Sequence, residues 1–151
     1  MTEQLMQEHT ITLDRVYDAP QDVVWRAWTD PDEVSKWWGP EGFSTPREMI
    51  EFDLQPGGVC RMTMIGPDGQ EYPNDGHYGI VEPPHRFSFG GVVEGNPMMR
   101  SAETTVELTA IDEEHTRVVV SSRMVCVEDL IDMANAGWNG QLDKLIRLLA
   151  H

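Results

Sequence analysis

The sequence predicts an α+β domain in which a long C-terminal helix packs across a curved antiparallel sheet of six or seven strands. Three observations lead there. From Thr45 onward the apolar residues recur with period two, as in Ile50, Phe52 and Leu54 and again in Cys60, Met62 and Met64. The alternating runs are separated by turn sequences, Pro56-Gly57-Gly58, Gly66-Pro67-Asp68-Gly69 and Asp112-Glu113-Glu114, which join strands in series as hairpins. From Val127 to Ala150 the period changes to three and four, through Val127, Leu130, Ile131, Ala134, Trp138, Leu142, Leu145 and Leu149.

In chain order, His9 to Tyr17 reads as the first strand, with Ile11 and Leu13 on one face. Pro20 opens a short helix carrying Val24, Ala27 and Trp28 at helical spacing, since a first-turn N–H is unpaired anyway. Asp30, Pro31 and Glu33 restart a second one as cap, first residue and capping box. It ends near Trp37-Trp38-Gly39-Pro40. After the strands around Ile50–Leu54 and Cys60–Met64, further strands are expected at roughly 76–82, 85–91, 101–111 and 115–124. A meander of this kind is not a parallel nucleotide-binding sheet.

The final helix carries Glu128 and Asp129 at its start and Lys144 and Arg147 near its end, the signs its dipole favours. At about 1.5 Å per residue it would run roughly 36 Å, enough to cross a sheet. Gly137 and Gly140 lie in its middle, where each costs about 1 kcal/mol relative to alanine. They imply close packing, a kink, or room above a cavity.

With 151 residues, 40% hydrophobic and 25% charged, the chain fits one globular domain over residues 1–151. The formal net charge of −15 opposes phosphate backbones and anionic membranes, so neither is an expected partner. No apolar run reaches the roughly 18–20 residues of a bilayer span. Met1 to Thr10 is polar, without the pattern of a signal peptide, and the expected location is the cytoplasm. There Cys60 and Cys126 are expected as free, buried thiols.

Trp37-Trp38-Gly39-Pro40-Glu41-Gly42-Phe43 resembles the W-W-G-P-x-G-F signature of single-domain proteins related to the activator of Hsp90 ATPase. These belong to the START-like, or SRPBCC, superfamily with its helix-grip fold. Asp53-Leu54-Gln55-Pro56-Gly57-Gly58 resembles the family's D-x-R-P-G-G turn, with Gln55 in place of arginine. Gly66 to Gly69, Glu82-Pro83-Pro84-His85-Arg86, and Gly137-Trp138 with Leu142 and Leu145 match later landmarks, so the resemblance covers roughly residues 8–150. It implies a deep, mostly apolar cavity between sheet and last helix. The landmarks are turns, so they carry architecture and not chemistry.

The expected occupant is a small apolar or amphipathic molecule, with a cyclase- or hydrolase-like enzyme in the same cavity and an Hsp90-associated module as alternatives. Trp38, Phe52, Met62, Met64, Tyr78, Phe89, Met124, Met133 and Trp138 are the expected lining, because methionine and aromatic side chains adapt to an irregular cavity. No nucleophile, phosphate-loop or metal-ligand spacing occurs, so no catalytic residue, metal or cofactor is assigned. Of His77 and Tyr78, successive on one strand, Tyr78 is expected inward, in phase with Ile80, and His77 outward. Arg61 and Glu51 belong to the outer face. Arg15 shares parity with Ile11 and Leu13 and would need a buried carboxylate. Gly90 to Met99 is expected to form a lip at the cavity mouth or a contact in a homodimer.

Overall fold

A computed structural model of the chain describes residues 5–93 and 96–149. Pro20 and Pro31 divide the segment after the first strand into α1 (Gln21–Thr29) and α2 (Pro31–Val34), following β1 (Gln7–Tyr17). The turns then fold the chain into β2 (Glu51–Phe52), β3 (Val59–Ile65), β4 (Glu71–Glu82), β5 (Arg86–Val92), β6 (Met99–Ala110) and β7 (Thr116–Cys126). The long stripe forms α3 (Asp129–Leu149), 21 residues and about 31 Å at the helical rise. The expected last helical residue, Ala150, lies outside the described residues. The strands make one antiparallel sheet in the order β1-β7-β6-β5-β4-β3-β2, with the last strand brought back beside the first. Among the described residues no helix is long and apolar enough to cross a membrane.

The inner face of the sheet is filled unevenly. In register across β5, β6, β7 and β1, the row Phe87, Val106, Val120 and Leu13 is large and buried. Trp25 and Trp28 of α1 cover that end, each edge-on to Phe87. Leu142, Leu145 and Leu149 bury the C-terminal half of α3. Two rows further along, the same strands present Gly91, Ala102 and Met124. Leu130, Ile131, Ala134 and Trp138, on the N-terminal half of α3, are only half-buried there. Gly91 and Ala102 at this end leave space that the larger side chains at the other end remove.

Several local expectations change. Asp30 caps α2 by accepting from Asp32 N–H at 2.9 Å, but no capping box closes. The Asp30 N–H donates to Arg26 O at 2.9 Å, and Glu33 pairs with Lys36 at 3.1 Å. The first alternating segment holds a 3-10 turn, Arg47–Met49, and only a two-residue strand, because Pro46 and Pro56 bracket it. β4 starts at Glu71, ahead of the expected 76. Pro73 is tolerated because residues 71–76 pair with β3 alone. A bulge between Tyr78 and Val81 then breaks the alternation, so Tyr78 points inward while Ile80 is exposed.

Candidate functional site

The sheet forks. β4 and β5 are paired from Glu82/Arg86 to His77/Gly90, and beyond that point residues 71–76 follow β3 while Gly91 and Val92 follow β6. A cavity of about 520 Å³ opens between the two arms and runs inward under the N-terminal half of α3. Pro73 to Gly76 and Gly90 to Val93 line it at the fork; Ala134, Gly137, Trp138 and Gln141 line it from the helix. The expected lip is thus partly in place, with Glu94 and Gly95 outside the described residues.

Six of the nine expected residues line this cavity: Trp38, Met62, Met64, Phe89, Met124 and Trp138. Phe52 and Tyr78 do not. They lie deeper, beside Trp28, Cys60 and Phe87, around a gap of about 10 Å³ that holds at most one water. Met133 is a correction: it is 64% exposed and points away from the cavity. At about 100° per residue it sits some 140° round the helix from Trp138, off the apolar face.

The segment from Trp37 to Phe43 docks α3 over the cavity. Trp37 Nε1 donates to Ala27 O at 2.8 Å. That carbonyl would normally receive the N–H of residue 31, which is proline. Trp38 packs edge-on against both Trp138 and Phe89. Gly137 and Gly140 face the loop and not the sheet: Cβ atoms there would lie 3.7 Å from Pro40 and 3.9 Å from Glu41. On the same flank Lys144 donates to Gly39 O at 2.9 Å, and Arg147 pairs with Glu41. Burial lowers the Lys144 pKa below the usual lysine value.

Away from the exposed Asp75 at the fork, polar groups in the cavity wall are few and uncharged. Gln141, only 5% exposed, accepts from Gly39 N–H at 3.0 Å through Oε1. Thr104 and Ser122, opposite one another on β6 and β7, share a hydrogen bond of 3.1 Å. Cys60 lines the inner end, and burial pushes its thiol up to about 11, so it is protonated near neutral pH. Burial first, then the neighbouring Cys60, raises the Tyr78 pKa. Among the described residues no group of three His, Cys, Asp or Glu side chains is placed to hold a metal.

Sequence reasoning missed Gln141, Thr104 and Ser122. Each carried a signal: Gln141 is a polar residue on the apolar stripe, and Thr104 and Ser122 share strand parity with buried Val106 and Val120. Arg15 does turn toward α3, but its partner is the Asn139 amide and not a carboxylate. His77 is exposed.

Solved structures share this architecture. Protein CV1439 from Chromobacterium violaceum superposes with a TM-score of 0.83 at 26% identity, covering 94% of this chain and 97% of that one. Protein Ms6760 from Mycobacterium smegmatis gives 0.75 at 27% identity, covering 93% and 90%. The AHSA1 protein from Silicibacter pomeroyi gives 0.79 at 22% identity, covering 94% and 98%, a likeness of fold. No curated protein matches the sequence. The family model described as activator of Hsp90 ATPase homolog 1-like protein matches residues 18–150. With that match and the helix-grip architecture together, the chain belongs to the activator of Hsp90 ATPase homolog 1-like family of START-like proteins.

Proposed function

We propose that the protein binds a small, largely apolar molecule in the cavity between the sheet and α3. The observation that carries this reading is the hollow half of the inner face. About 520 Å³ lies open under a helix whose other half is fully packed, and its walls are methionine and aromatic side chains. That volume falls in the usual range for ligand sites, and such lining adapts to a ligand's shape. Tyr78, Arg15 and His77, polar side chains that could serve a reaction, do not line the cavity, so binding is the better supported reading.

Thermal shift and native mass spectrometry against a panel of aromatic and lipid-like probes test it. The expected result is a one-to-one complex that raises the melting temperature. Ala102→Phe, which fills the cavity floor, should abolish the complex while leaving the protein folded. Unchanged probe binding in that variant, or no binding by the native protein, overturns the proposal.

A further inference from the structure

We infer that the cavity takes an uncharged ligand that presents a hydrogen-bond acceptor, such as an aromatic ketone or ester, and rejects carboxylates. This rests on the reading of the cavity as a binding site and adds the chemistry of its occupant.

The first argument is the missing countercharge. Among the described residues no lysine, arginine or histidine lines the cavity. Two cations beside α3 are held elsewhere, Lys144 by the Gly39, Pro40 and Phe43 carbonyls and Arg15 by Asn139. Among the described residues the one charged side chain in the wall is acidic: Asp75, exposed at the fork, 4.0 Å from Arg61. A carboxylate entering would pass Asp75 and lose its water without gaining a partner, and burial of an unpaired charge is strongly unfavourable. The chain's formal charge of −15 adds repulsion at long range.

The second argument is an excess of donors. The Gly39 N–H fixes the Gln141 carbonyl oxygen, and so fixes where its NH2 points. Neither amide hydrogen has a partner among the described residues, and the NH2 is not sealed off: it reaches the open space of the cavity that Gln141 lines. Thr104 and Ser122 spend one hydroxyl hydrogen on each other, and the second has no described acceptor. Donors turned to the cavity can be met by water, and a ligand oxygen that only accepts would pair them in its place, where an apolar group would leave them unpaired.

Three matched ligands of one ring size test the inference near neutral pH by titration calorimetry: acetylnaphthalene, ethylnaphthalene and naphthoate, the last ionised there. The ketone should bind about tenfold more tightly than the hydrocarbon. The carboxylate should bind on the order of a hundredfold more weakly than the ketone. Gln141→Glu keeps an acceptor for Gly39 N–H but removes both donors, and should erase the ketone's advantage. Equal binding of ketone and hydrocarbon, or naphthoate binding as tight as the ketone, overturns this inference and leaves the binding reading standing. Failure of all three to bind sinks both. The comparison on the native protein carries the test whether or not the variant folds.

Discussion

Gly76 crosses Gly90 so closely that a Cβ on the first would meet the carbonyl oxygen of the second at 2.8 Å. This is the point where β4 and β5 part. Gly90 is more constrained still, with φ of +145° and a virtual Cβ 2.1 Å from Ala102 O. The mouth of the cavity therefore depends on two residues without side chains. Gly76→Ala should cost about 1–3 kcal/mol, as overpacking does, and Gly90→Ala should cost more because its backbone also disfavours a side chain. Urea denaturation measures both. Native-like midpoints would show that the strands do not cross so tightly.

The helix glycines behave in the opposite way. A Cβ at Gly140 would meet only ordinary contacts, with Glu41 N at 3.9 Å and Pro40 Cα at 4.0 Å. Gly140 does not line the cavity. Gly140→Ala should then raise stability by about 0.5–1 kcal/mol, the helix-propensity difference, with probe affinity unchanged. Loss of stability on this substitution would mean that α3 sits closer to the loop than described.

How much of this was legible follows from what each residue type signals. Strands with regular alternation, such as Thr116 to Cys126, and the stripe from Val127 to Leu149 announce their elements and buried faces. β4 does not. Its first half, Tyr72-Pro73-Asn74-Asp75-Gly76, has turn composition, and it is a strand because β3 holds it on one side while the fork frees the other. Ile80 was misassigned by a bulge that periodicity does not mark. Met133 was grouped with the lining by residue type, when its angle round the helix places it outside. The cavity itself is read from Gly91 and Ala102, whose smallness matters only once their register with Phe87 and Val106 is known.

His115 gives a pH dependence whose sign is set by geometry. Its Nδ1 lies 2.9 Å from Asp112 Oδ1, and its Nε2 3.3 Å from Asp18 Oδ1. The Asp112 hydrogen bond and charge, with smaller help from Asp18 and Glu114, raise the His115 pKa above 6.5. A raised folded-state value stabilises fully below the unfolded pKa of about 6.5, and the contribution fades as pH rises through the folded value. Asp112 is lowered below 3.8, first by the Glu114 N–H and then by His115, so its contribution fades as pH falls through that lower value. The denaturation midpoint of His115→Gln, compared with the native protein, should lose the slope on the alkaline side. Parallel pH profiles would remove His115 from the account.

Trp28 and Trp37 stack edge to face with centroids 4.7 Å apart, yet their indole N–H groups differ. Trp37 Nε1 donates to Ala27 O at 2.8 Å, in place of the N–H that Pro31 lacks. Trp28 Nε1 is buried without a partner, the one such side-chain atom among the described residues. Trp37→Phe removes a comparable volume to Trp28→Phe but leaves a buried carbonyl unsatisfied. Trp28→Phe instead removes a donor that has nothing to lose. An unsatisfied buried carbonyl costs about 1–3 kcal/mol, so Trp37→Phe should be the more destabilising substitution by that margin. Chemical denaturation of the two variants side by side checks it. Equal losses would mean that a water or a small rearrangement supplies Ala27 O with another donor.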